Sequence, residues 1–125
     1  MIKQWLLALA AVGLVAAPTA QAQVSDGIIK IGVLTDMSSL YADLSGQGSV
    51  IAARLAVEDF GAAKKGMKVE IVSADHQNKP DVGSGIARQW LDADKVDVIM
   101  DVPNSAVPLA VNQIVKEKGK ALLVS

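Results

Sequence analysis

The chain has no cysteine, a single histidine, and only two Trp, one Tyr and one Phe. Without cysteine there are no disulfides, no zinc–thiolate sites, no cysteine nucleophile and no thiol to carry a lipid anchor. One histidine, His76, does not make a metal site, and neither metal nor cofactor is expected. Charge of one sign is also lacking. Twelve Lys and Arg face 13 Asp and Glu, a net charge of −1, so there is no basic field to hold nucleic acid or an anionic membrane. A stable membrane insertion is likewise not expected. The one long apolar run, Trp5 to Ala17, is 13 residues, short of the ~20 needed to span a bilayer core.

That run has the form of an export leader. Lys3 supplies a positive start, the apolar stretch follows, and Pro18 precedes the small-residue triplet Ala20-Gln21-Ala22. Cleavage is expected after Ala22, which divides the chain into a signal peptide, 1–22, and a mature part, 23–125. The mature part ends on the apolar run ALLVS. Such a run reads as a buried strand, so 23–125 is expected to be the first part of a longer protein.

Four short apolar runs, Ile28 to Thr35, Met67 to Ala74, Val96 to Val102 and Ala121 to Val124, alternate with three amphipathic segments. The runs are rich in Val and Ile and nearly continuous in apolarity, as parallel strands covered on both faces are. Met67 to Val72 alternates more strictly, which places it nearer an edge. The first helix shows Val50, Ala53, Val57 and Phe60 at helical steps, with Ile51 and Leu55 widening the stripe. The second starts near Pro80 and presents Val82, Ile86 and Trp90. The third runs from about Ala106 to Lys118, with Val107, Val111, Ile114 and Val115 inward and Gly119 as its stop. AAKKG, between the first helix and the second strand, reads as a solvated turn. The fold class expected is α/β, a doubly wound parallel sheet with the flavodoxin-like strand order.

In such a sheet ligands bind beyond the carboxyl ends of the strands, where the strand order reverses, here between the first and third strands. Two loops lie there. DMSSLYADLSGQG is long for a βα connection and carries hydroxyls at Ser38, Ser39 and Ser45 and the ring of Tyr41. DVPNSAVP breaks the third strand at Pro103 and offers Asn104 and Ser105 as helix caps, with backbone N–H groups and a helix dipole that favour a carboxylate. Ser105 fits either role, cap or ligand donor.

Other chemistries fail on context. Gly46-Gln47-Gly48 has Ile51 where a third glycine belongs, and it lies far beyond the strand end. Gly61 to Gly66 has P-loop spacing, but Met67 replaces the lysine. His76 beside Asp75 suggests a hydrolase, yet there is no G-x-S-x-G elbow. Asp36, Asp75 and Asp101 at strand ends read either as a cation cluster or as turn formers.

KIGVLTDMSSLYADLSGQGSVIAARLAVEDF, VEIVSADHQNKPDVGSGIARQWL, VDVIMDVPNSAVPLAV and KGKALLVS together resemble the first lobe of periplasmic substrate-binding proteins of the branched-chain amino acid ABC transporter type. The resemblance covers the whole mature chain. It implies a two-lobed periplasmic protein that closes around a small solute and docks on an ABC transporter permease. In that family the first lobe holds the ligand's carboxylate and ammonium with the loops after strands three and four. Pro103, Asn104 and Ser105 fall on the former, with Ser105 matching the family's ligand serine, and Tyr41 and Leu44 fall beside the ligand's side chain. Ser39 stands where family members commonly have Gly, and the disulfide some members carry is absent. DVPNSAV looks as much like members that take aromatic or other carboxylic acids as like those that take leucine. Two further readings stay open: the ligand-sensing domain of a receptor or regulator, and a secreted hydrolase.

Overall fold

The computed structural model describes Val24 and residues 26–125; the expected leader, 1–22, lies outside the described residues. Four strands alternate with three helices: β1 (Ile28–Thr35), α1 (Gly46–Phe60), β2 (Lys68–Asp75), α2 (Pro80–Asp92), β3 (Val98–Asp101), α3 (Ala106–Glu117) and β4 (Ala121–Val124), with a 3-10 turn at Ala63–Lys65. All pairings are parallel and the sheet order is β2-β1-β3-β4. The chain therefore reverses direction across the sheet between β1 and β3, as expected, and β2 is an edge strand, as its alternation implied.

Successive residues of β1 point to opposite faces, and each face carries its own helices. Leu34 joins Val96, Ile99 and Val102 under α2 and α3, which add Ala87, Trp90, Val107, Val111, Ile114 and Val115. Val33 points the other way, onto Val50 and Ala53 of α1, with Met37, Ile71 and Met100 around them. Two glycines set how closely the first layer packs. A Cβ on Gly32 would lie 2.5 Å from the Trp90 ring, and one on Gly83 would lie 2.6 Å from Val107 Cγ1. Trp90 thus lies across β1, and α2 approaches α3, only because those side chains are missing.

Several expectations are corrected. Val50 and Ala53 are buried, but Ile51, Leu55 and Phe60 are 53–55% exposed, because α1 meets the sheet along a narrower stripe than its apolar residues define. The Phe60 ring instead lies 3.5 Å beneath Lys65 Nζ. On α2 the buried face is Gly83, Ala87 and Trp90, one position on from Val82 and Ile86, which are half-buried. Regular pairing in β3 begins at Val98 rather than Val96, since Asp97 turns its carboxylate onto the Lys30 N–H, 3.0 Å away. The two chain stops hold: Pro80 opens α2 and Gly119, at φ 62°, follows α3. Among the described residues no helix is long and apolar enough to cross a membrane.

Candidate functional site

The carboxyl-terminal ends of β1, β2 and β3 lie side by side at the reversal point; β2 and β3 end in an aspartate, and one directly follows β1. Asp36, fully buried, follows β1. It accepts hydrogen bonds from the N–H groups of Ser38 (3.3 Å), Ser39 (2.9 Å) and Tyr41 (2.9 Å) and from the Ser39 hydroxyl (2.6 Å). An aspartate followed by two serines is a local turn former, and here it winds the whole loop around one carboxylate. Burial pushes the Asp36 carboxyl up, but the Ser39 hydroxyl and the three N–H groups outweigh it and leave its pKa below the ordinary 3.8. The loop's far end is tied by Thr35, whose hydroxyl donates to Ser45 Oγ (3.1 Å) and accepts from Gly46 N (3.0 Å), the first residue of α1.

β2 ends on Asp75, which accepts from Met37 N (2.9 Å) and Gln77 N (2.8 Å) and from the Ser38 hydroxyl. Burial raises its pKa, and those bonds bring it below the ordinary value. His76 follows, with no exposed surface; its N–H donates to Thr35 O at 2.8 Å. Its Nδ1 accepts from Asn78 N at 3.0 Å, so the ring's proton is on Nε2, which has no partner among the described residues. Burial lowers the pKa of this histidine below 6.5, partly opposed by the charges of Asp36, Asp75 and Asp101. A buried neutral imidazole bonded to a backbone N–H is a structural group, and no serine hydroxyl reaches it among the described residues.

β3 leaves the sheet through a run of left-handed residues, Asp101 (φ 80°), Val102 (φ 47°) and Asn104 (φ 84°). Positive φ is costly for a β-branched residue, so Val102 is held there by its surroundings; its N–H continues the ladder to Leu34 O at 2.9 Å. Asp101 is tied to the end of β4, accepting Ser125 Oγ on Oδ1 at 3.0 Å, while Oδ2 is buried without a partner. Pro103 is buried; Asn104 is half-buried. The Asn104 amide carbonyl accepts from the N–H groups of Ala106 and Val107, the first turn of α3, and its Nδ2 donates to Asn78 Oδ1. Pro108 has no N–H to offer. Asn104 therefore caps the helix, and Ser105, exposed and making no cap hydrogen bond, keeps its hydroxyl free beside the helix's positive end.

The pattern of the periplasmic binding protein family matches residues 28–125. The chain belongs to that family. A periplasmic binding protein from Burkholderia mallei is 45% identical with a TM-score of 0.74, over 78% of this chain and 26% of its own. A branched-chain amino acid ABC transporter periplasmic ligand-binding protein from Burkholderia xenovorans is 53% identical, with a TM-score of 0.73 over 77% of this chain and 26% of its own. A solute-binding protein of an ABC transporter from R. palustris, in complex with 4-hydroxybenzoate, is 28% identical, with a TM-score of 0.69 over 78% and 26%. The chain thus spans about a quarter of the length of these solved relatives. None of the curated proteins matches it. The sheet is that of the type I periplasmic binding fold.

In this periplasmic binding protein the residues expected at the site occupy two neighbouring loops. Pro103, Asn104 and Ser105 stand at the start of α3. Ser38, Tyr41 and Leu44 stand on the Asp36 loop: the Ser38 hydroxyl donates a hydrogen bond to Asp75, Tyr41 is half-buried and Leu44 is 84% exposed. No hydrogen bond joins one set to the other among the described residues. Asp36 and Asp75 are spent on backbone N–H groups, and no group of three or more His, Cys, Asp or Glu side chains among the described residues is arranged to hold a metal. Sequence reasoning weighed Asp36 only as a turn former or cation ligand and missed Asn78 altogether. The D-x-S-S pattern announces the first; nothing local announces the second.

Proposed function

We propose that this chain is part of the first lobe of an extracytoplasmic solute receptor. It captures a small carboxylate, a branched-chain amino acid or an aromatic acid, and delivers it to the permease of an ABC importer. The observation that carries this reading is the free Ser105 hydroxyl at the amino end of α3, released from capping by Asn104 and set at the reversal point of the sheet. A hydroxyl, a helix's positive end and an exposed loop bearing Tyr41 and Leu44 suit a ligand with one anionic end and one apolar end. The names of the relatives from B. xenovorans and R. palustris support the two solute classes. The role is binding without chemistry: the one histidine is buried and neutral, and no cofactor is required. A second lobe, contributed by chain beyond residue 125, would close over the solute, and a leader removed after Ala22 would deliver the protein to the periplasm.

The test is calorimetric titration of the complete two-lobed protein with isoleucine and with 4-hydroxybenzoate. Ser105→Ala is expected to weaken the probe that binds by about 1–3 kcal/mol, the cost of leaving a buried polar group of the ligand without its partner. An unchanged affinity removes Ser105 from the site.

A further inference from the structure

Ser105 is free because Asn104 faces its carbonyl end toward α3, and an amide has no preference of its own for that orientation. Turned by half a rotation, the same side chain would set its NH2 group against the N–H groups of Ala106 and Val107, donor against donor. The Ala106 and Val107 N–H groups therefore favour the carbonyl-inward orientation, and one side chain from another loop reinforces it. Asn78 Oδ1 is an acceptor, and it takes the Asn104 Nδ2. We propose that Asn78 is a positioning residue for the solute site: it holds the Asn104 amide in its capping position and thereby reserves the Ser105 hydroxyl for ligand.

Asn78 is itself held firmly enough to do this. Its backbone is left-handed, at φ 56°, directly after Gln77 at φ 55°. Its N–H donates to the Nδ1 of His76, 3.0 Å away, and His76 is fully buried with its own N–H on Thr35 O. The β2–α2 loop is therefore anchored to the end of β1 and reaches across to the β3–α3 loop through a single side chain. If that link is cut, the Asn104 amide is released, and Ser105, at the N-cap position itself, becomes the oxygen best placed for the Val107 N–H. Pro108 supplies no N–H, so the two side chains compete for the same donors. A hydroxyl engaged on the helix is withdrawn from the solute. Asn78 does not itself contact the solute; it acts only through Asn104 and Ser105.

The inference rests on Ser105 being a ligand donor, and the experiment separates the two claims. Asn78→Gly removes the side chain while keeping the left-handed backbone unstrained, and Asn78→Asp keeps the acceptor. In the complete protein, titrated with isoleucine and 4-hydroxybenzoate, Asn78→Gly is expected to weaken the probe that binds about tenfold, comparable to Ser105→Ala. Asn78→Asp is expected to restore affinity to within about twofold, and Asn78→Gly added to Ser105→Ala is expected to cost little more, because both act through one hydroxyl. Amide exchange at Ala106, which Ser105 does not take over, is expected to quicken in Asn78→Gly and recover in Asn78→Asp, whichever probe binds. Wild-type affinity in Asn78→Gly with a weakened Ser105→Ala overturns the positioning role and leaves the site intact. A full additional loss in the double variant, or unchanged exchange at Ala106, also overturns it. Wild-type affinity in Ser105→Ala overturns both.

Discussion

At the amino-terminal edge of the sheet, Asp97 takes the Lys30 N–H at 3.0 Å and the Lys120 ammonium at 2.9 Å, and Lys30 Nζ in turn reaches Asp94 O at 3.0 Å and Glu70 at 3.6 Å. At the carboxyl-terminal edge, Asp36 and Asp75 take backbone N–H groups and serine hydroxyls, with no ion pair among the described residues. Backbone strain is divided just as unevenly. Gln77, Asn78, Asp101, Val102 and Asn104 have positive φ at the carboxyl ends of the strands, against Lys95 alone among non-glycine residues at the opposite edge. One end meets charge with charge and relaxed backbone, which serves cohesion. The other meets charge with main-chain dipoles and stores strain, which is where ligand sites keep it. The contrast teaches that the carboxylates at the proposed binding end are internal supports: they shape the loops and leave other groups exposed there.

The largest expected effect that would break this comparison is the loss of Asp36. Asp36→Ala leaves buried N–H groups without an acceptor and should cost about 3 kcal/mol or more of unfolding free energy. Asp97→Ala should cost about 1–2 kcal/mol, its lost partners including a backbone N–H and a partly exposed lysine. Urea denaturation measures both. Equal losses, or unchanged solute binding in Asp36→Ala, would put the two ends on the same footing.

Acid should act on the carboxyl-terminal edge. His76 has a folded pKa below its ordinary 6.5, so the unfolded chain binds more protons in between; stability is complete above about pH 6.5 and declines as pH falls from there toward the folded value. Asp36 and Asp75 have folded pKa values below 3.8, so the stability they contribute is present above that pH and is lost as pH drops through the folded values. Melting temperature followed against pH should therefore fall in two stages. His76→Asn, which keeps an acceptor for the Asn78 N–H and does not titrate, should abolish the upper stage; a decline near neutrality that survives in it would assign that stage elsewhere.

The smallest effect sharpens the contrast in strain. Lys95→Gly should raise stability by about 0.5–1 kcal/mol by relieving φ 57°, since the ion pair it gives up with Asp26, at 3.8 Å, is exposed. Asn104→Gly relieves a similar angle and should nonetheless lower stability by about 1 kcal/mol, because the cap of α3 goes with it. Thermal melts of the two variants should shift in opposite directions.

The order of strands and helices was legible because Val- and Ile-rich runs and helical spacing are local signals. Pro80 and Gly119 marked their helix ends for the same reason. Ile51 and Leu55 misled because periodicity reports how wide an apolar stripe is, not how much of it the sheet reaches; α1 buries only its Gly46, Val50 and Ala53 positions. Gly32 carried no signal of its own, since what it admits is Trp90, which comes from the other end of α2.

For the site, the sequence by itself determined which loops stand at the reversal of the sheet and that the β3–α3 loop holds two competing capping side chains, Asn104 and Ser105. Both facts follow from residue type and spacing along one segment. Which of the two caps α3 was decided only by the tertiary structure, because the acceptor that holds the Asn104 Nδ2 is Asn78, 26 residues earlier and on another βα unit. A hydrogen bond of that kind depends on strand order and on a left-handed backbone held by a buried histidine, and neither is written in the segment that it controls.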